Sequence, residues 1–217
     1  QYFKASGAAV EQRCEARMKQ DGLLHEWREV NSACSDIAPS LVETGASADL
    51  VLVSQIAENS GAEIETGLVD RVVMEGGRPV LIIPQAGSYK TPKSIVVGYN
   101  DTREAARAAF DAVPLLTAAN DVRVVWVDPY KHRQSAGELP GAEMATVLAR
   151  HGVKAMAEGL ESNGLNAGEA LLRLANDRGA DLLVMGAYAH SRLRQYIFGG
   201  STQHVMEHAR IPVLMSH

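Results

Sequence analysis

Cysteine is nearly absent: only Cys14 and Cys34 occur in 217 residues. Their spacing matches no metal or redox motif, and the pair reads as the reduced thiols of a cytoplasmic protein. Aromatic residues make up 5% of the chain, too few for a platform on which single-stranded nucleic acid stacks. An excess of positive charge is also missing. The net charge of −5 and pI near 5.8 lack the electrostatic footprint of nucleic-acid binding. Lys and Arg are scattered among acidic residues, so no membrane-surface patch forms. No apolar run approaches the ~20 residues of a membrane-spanning helix. The opening residues do not place an apolar stretch behind a basic one, as a signal peptide does.

Signs of dedicated catalysis are lacking as well. There is no nucleophile elbow, and Ser201 has no recognisable His/Asp pair. The carboxylates form no acid–base pair that can be placed. His204 and His208 stand four apart, a spacing that suits a metal, but no third ligand accompanies them. What is present is 46% hydrophobic and 22% charged residues, the balance of a soluble globular protein. The length suits one large domain or two small ones.

An internal repeat favours two. Ala48-Asp-Leu-Val-Leu-Val, followed by Val73-Met-Glu and Pro79, resembles Ala180-Asp-Leu-Leu-Val-Met, followed by Val205-Met-Glu and Pro212. Ala48 and Pro79 are 31 positions apart, and Ala180 and Pro212 are 32 apart. The offset of 132 residues is too long for a solenoid and fits a duplicated small domain.

The second copy reads in full as alternating strands and helices. Strands are expected at Ser94–Tyr99, Val122–Val127, Val153–Leu160, Asp181–Gly186 and Pro212–Met215. Helices are expected at Thr102–Ala119, Pro140–His151, Ala167–Arg178 and Gly200–Ala209. Thr102 should cap the first helix and Pro114 should kink it. Gly152 and Gly179 should close the second and third. Tyr130–Leu139 reads as a loop. This alternation predicts an α/β fold with a doubly wound, five-stranded parallel sheet, Rossmann-like, with ligands at the carboxyl ends of its strands.

The first copy is incomplete. It offers a helix over residues 1–20, a strand at Leu23–Val30, a helix at Ser32–Gly45, a strand at Leu50–Val53, a helix at Thr66–Gly76 and a strand at Val80–Ile83. An initial strand–helix–strand has no counterpart. The chain opens on Gln1, so the natural chain is expected to be longer. The expected units are therefore an incomplete 1–84 and a complete 93–217, joined by the Pro- and Gly-bearing linker Pro84–Pro92.

The informative stretch runs from Met185 to Thr202. It leaves a strand, crosses a loop and enters a helix at Gly199-Gly200-Ser201-Thr202. Glycines let backbone amides approach an anion, the helix start adds free N–H groups, and Ser201 and Thr202 add hydroxyls. Together they make a phosphate cradle. In the first copy Ser54 and Gln55 stand in place of Gly186 and Ala187, and that copy reads as a non-binding partner.

This stretch resembles the signature of the universal stress protein family: Gly, two residues, Gly, nine residues, Gly, then Ser or Thr. Gly186 and Gly199 match, and Thr202 matches a further hydroxyl position of nucleotide-binding members. Ala189 departs from the second glycine, and Gly200 departs from the Ser/Thr, whose hydroxyl Ser201 could supply from the next position. Ser94–Thr102 is similar to the family's opening strand, with Asn100 where an Asp usually contacts the nucleoside, and Val127 matches a residue whose backbone meets adenine. The resemblance, to tandem-domain members, implies an adenine-nucleotide-binding stress-response module. ATP or AMP, with Mg²⁺ for any hydrolysis, would lie on Asn100, Val127, Met185, Gly186, Ala189, Gly199, Gly200, Ser201 and Thr202. It further implies a homodimer or an intramolecular pseudo-dimer, here along Val80–Ile83 and Pro212–Met215. Two rivals remain open. One is a decayed site serving protein interaction or an apolar ligand; the other is a slow ATPase, the most catalysis the sequence allows.

Overall fold

The computed structural model describes residues 2–30, 37–55, 67–85, 89–128, 141–188 and 200–217. The chain divides into two compact units, Gln1–Ala33 and Cys34–His217.

The first unit holds helix α1 (Tyr2–Asp21). It ends where Gly22 takes φ 67° and the Leu23 amide donates to the Met18 carbonyl at 2.9 Å. Residues 23–30 then carry no regular structure and are exposed throughout. The expected strand at Leu23–Val30 is therefore corrected. Its apolar residues suit a strand, but no described neighbour pairs with it, and a lone strand leaves its backbone groups to water.

The second unit contains helices α2 (Ile37–Gly45), α3 (Leu68–Glu75), α4 (Arg103–Asp111), α5 (Val113–Thr117), α6 (Ala142–Arg150), α7 (Ala167–Asp177) and α8 (Gly200–His208). Its strands are β1 (Val51–Ser54), β2 (Val80–Ile83), β3 (Ser94–Gly98), β4 (Asp121–Val127), β5 (Ala155–Leu160), β6 (Leu182–Gly186) and β7 (Val213–Ser216). They form one seven-stranded sheet in the order β1-β2-β7-β6-β3-β4-β5. Every neighbouring pair is parallel except β2–β7. Strands β3 to β7 form the expected doubly wound sheet, with its crossing point between β3 and β6.

The register makes the repeat visible. Val51 faces Val80 across β1–β2, and Leu183 faces Val213 across β6–β7. These are equivalent positions of the two copies, so both copies pair their last two strands identically. Between the copies, Val80 faces Met215, Leu81 faces Leu214 and Ile82 faces Val213. That antiparallel exchange is symmetric about Leu81–Leu214.

Both faces of the sheet are covered, as a parallel sheet requires. Val96, Val125, Leu183 and Met215 pack with Val72 and Val73 of α3, Leu171 of α7 and Val205 of α8. On the other face Ile95, Val97, Val124 and Leu214 pack with Ala108 of α4, Leu116 of α5 and Leu148 of α6. The alternation of Ile95, Val96 and Val97 between faces follows from the strand period of two.

Local signals set the boundaries. The Ala105 amide donates to Thr102 Oγ1 at 3.3 Å, the expected cap of α4. The helix expected to continue through Ala119 breaks at Ala112, and Pro114 lies in the first turn of α5, where a missing N–H costs least. Gly152 and Gly179 follow α6 and α7. The Asp181 carboxylate accepts from the amides of Lys93 at 2.8 Å and Ser94 at 3.1 Å, tying the start of β3 to that of β6. The expected loop at Tyr130–Leu139 lies outside the described residues.

Candidate functional site

The carboxyl ends of β3 and β6 adjoin at the crossing point, and the chain leaves them toward opposite faces of the sheet through α4 and α8. Both helices therefore start beside the same crevice. Their first N–H groups have no partner within the helix, and they carry the positive end of the helix dipole.

Gly186 ends β6 against the start of α4. A Cβ there would lie 2.4 Å from the Ala105 nitrogen and 2.5 Å from the Glu104 carbonyl carbon. Backbone cannot rotate away as a side chain can, so this contact admits only glycine. A second such contact joins the starts of α7 and α8. A Cβ on Gly168 would lie 2.3 Å from the Ser201 carbonyl oxygen. Gly200, by contrast, is exposed, and no atom of the described residues lies within 4 Å of where its Cβ would stand.

Thr202 is buried, and its hydroxyl accepts from the Tyr188 amide at 3.2 Å. This bond joins the segment leaving β6 to the first turn of α8. The neighbouring Ala187 amide donates to the Ser216 carbonyl at 2.9 Å, and the Ala187 carbonyl lies 3.0 Å from His217 Nδ1. Tyr188 itself is buried at φ 60°. Its phenol donates to Asp70 in α3 and lies 3.7 Å from Met206 Sδ. Burial, and then the Asp70 carboxylate, push that phenol above the ordinary tyrosine range.

On the β3 side, Asn100 is exposed and its Oδ1 accepts from the Thr102 hydroxyl at 2.8 Å. Asp101 follows at φ 62° and accepts from the Tyr99 phenol at 3.1 Å. Val127, half-buried, ends β4. Asp128 then turns at φ 49° and holds Ser162 through its amide at 2.8 Å and its hydroxyl at 2.6 Å. Glu104 is buried in the first turn of α4. Burial raises its carboxyl, but the Arg103 hydrogen bond, its own backbone amide and the nearby positive charges together leave it below the ordinary range.

Of the residues expected at the site, Gly186, Gly200, Ser201 and Thr202 lie at the β6–α8 step, and Asn100 lies at the end of β3. Met185 is adjacent, but its side chain belongs to the core. Ala189 and Gly199 lie outside the described residues. Four positions were not singled out by the sequence: Gly168, Glu104, Tyr188 and Asp70. For Asp70 a signal existed, because the 132-residue offset aligns it with Thr202. The rings of His204 and His208 stack at 4.3 Å, and His208 Nδ1 lies 3.0 Å from the His204 carbonyl oxygen. No three His, Cys, Asp or Glu among the described residues could hold a metal ion together.

Fold and crevice define a doubly wound α/β protein with paired helix starts at its strand crossing. Residues 91–217 match the universal stress protein family, and the chain belongs to that family. It is 30% identical over 152 residues to the universal stress protein Slr1230 of Synechocystis, covering 67% of this chain and 49% of that protein. The match thus spans about half of the relative's length. Among solved structures, a universal stress protein from Archaeoglobus fulgidus superposes with a TM-score of 0.73 at 14% identity, covering 99% of this chain and 77% of that one. A functionally unknown protein of Pseudomonas aeruginosa PAO1 gives 0.63 at 16% identity, covering 96% and 77%. These two likenesses concern the fold. No described helix is long and apolar enough to cross a membrane.

Proposed function

We propose that the C-terminal half binds one adenine nucleotide, ATP or AMP, and acts as a nucleotide-dependent regulatory module of a cytoplasmic stress response. The observation that carries the reading is the Tyr188–Thr202 hydrogen bond. It holds the end of β6 against the first turn of α8, where free N–H groups suit phosphate. Asn100 offers an amide to the nucleoside, and the backbone beyond Val127 borders the place for adenine. Gly200 contributes its N–H and Ser201 its hydroxyl.

The tandem division at Pro84–Pro92 belongs to the same reading. The N-terminal half serves as the pseudo-dimer partner and binds no nucleotide. Ser54 replaces Gly186 there, and Asp70 replaces Thr202; a carboxylate repels phosphate. The pairing of β2 with β7 takes the place that a second copy would hold in a homodimer. Any hydrolysis is slow, since no general base stands out among the described residues of the step, and it would use Mg²⁺ on the phosphates.

A second reading draws on the same bond and on Gly200. The Thr202 hydroxyl is already engaged by Tyr188, and Gly200 brings no hydroxyl. On that reading the site has decayed and the chain serves protein interaction or an apolar ligand. Thermal unfolding with ATP and AMP separates the two. Binding raises the midpoint with ligand concentration by mass action. A midpoint indifferent to millimolar ATP and AMP would favour the decayed site.

A further inference from the structure

The repeat offset places Ser54 at Gly186, Gln55 at Ala187 and Asp70 at Thr202. Where the C-terminal half carries a hydroxyl, the N-terminal half thus carries a carboxylate. That carboxylate receives the Tyr188 phenol, which comes from the segment leaving β6 in the other half. The exchange is reciprocal. Gln55, on the segment leaving β1, donates from Nε2 to the carbonyl oxygens of Met206 at 2.8 Å and Glu207 at 3.1 Å in α8. Each half sends a residue from the segment beyond its penultimate strand to the last helix of the other, Gln55 one position past β1 and Tyr188 two positions past β6.

Tyr188 is where this exchange meets the candidate site. Its amide donates to Thr202 Oγ1 at 3.2 Å while its phenol reaches Asp70. Its ring packs edge-on against His217, with centroids 6.5 Å apart. A left-handed backbone at a bulky residue persists only where the surroundings hold it. The phenol anchor in α3 and the amide anchor in α8 are two such restraints on one residue.

We propose that Asp70 is a positioning residue for the C-terminal site, acting from the N-terminal half. By holding the Tyr188 phenol it fixes the Tyr188 amide on Thr202, and so sets how well the β6–α8 step receives an anion. The nucleotide arm of this proposal rests on the function proposed above; the positional arm does not. Coupling is reciprocal by thermodynamic necessity, so ligand at the step also steadies α3.

The test uses the full chain with Asp70→Ala, Asp70→Asn and Tyr188→Phe. Without nucleotide, hydrogen exchange of the Tyr188 amide is expected to quicken about tenfold in Asp70→Ala. Asp70→Asn keeps an acceptor oxygen and should stay near wild type, a rescue that a mere loss of packing would not show. With ATP, affinity is expected to fall about fivefold in Asp70→Ala and in Tyr188→Phe, and no further in the double variant. ATP should protect the Arg71–Val73 amides in wild type and not in Tyr188→Phe. Unchanged Tyr188 exchange in Asp70→Ala would overturn the proposal. If the wild-type chain takes up neither ATP nor AMP, the nucleotide reading fails, and the exchange comparison alone decides the role of Asp70.

Discussion

At the scale of single residues, the glycines of the site carry two different loads. Gly186 and Gly168 are fixed by backbone contact, since any Cβ would enter a neighbouring helix start. Gly200 has no described atom within 4 Å of where a Cβ would stand. The sequence made Gly186 legible through its spacing but gave no sign of Gly168, because a close approach between two helices has no one-dimensional pattern. Gly186→Ala should therefore destabilise the protein by about 3 kcal/mol, the upper end of the overpacking range. Gly200→Ala should stay within about 0.5 kcal/mol of wild type, as an exposed position at a helix start does. Urea denaturation of the two variants checks the contrast.

Tyr188 adds a pH signature. Its phenol is held above the ordinary tyrosine range when folded, so the folded state favours the protonated form. That contribution is complete below the unfolded value of about 10 and is lost as pH rises beyond it. Between pH 9 and 11 the urea midpoint of wild type should fall more steeply than that of Tyr188→Phe. Parallel curves would show that the phenol contributes nothing. The Tyr188–Asp70 bond was not legible beforehand, because it joins positions 118 residues apart. Only the repeat offset hinted that Asp70 stood at a site position.

At the scale of elements, legibility followed the source of each element's stability. Strand Val80–Ile83 was read to its exact ends, because a short apolar run between Pro79 and Pro84 admits little else. The helix of residues 1–20 was also legible, since a helix satisfies its own backbone. Leu23–Val30 has strand-like residues, but a strand depends on a neighbour, and no described segment pairs with it. Leu52 makes the same point inside the sheet. Its equivalent, Val184, is fully buried, whereas Leu52 is 63% exposed. In the C-terminal half α4 covers that face, and no described helix does so at β1. The α4–α5 break shows a local rule resolving a choice. Pro114 was read as a kink, and the helix instead restarts with Pro114 in its first turn. Thr102 caps α4 beside the crevice, and Thr102→Ala should cost about 1 kcal/mol, measurable as a lowered thermal midpoint. Thr102→Ser, which keeps the acceptor, should recover most of it.

At the scale of the whole second unit, a pseudo-twofold relation through Leu81–Leu214 organises one sheet from two unequal halves. The repeat was legible in sequence, and the register of β1–β2 matches that of β6–β7 at the repeated positions. The unequal chemistry of the halves was only partly legible. The loss of the glycine step in the first half is plain, whereas the use of Asp70 as an acceptor for the other half required the fold. The account therefore predicts asymmetry: one nucleotide per chain, held by the C-terminal half. Native mass spectrometry of the full chain titrated with ATP tests this most directly. The expected result is a single bound nucleotide per chain, lost in Thr202→Val. No bound nucleotide at millimolar ATP, or two of similar affinity per chain, would contradict the account.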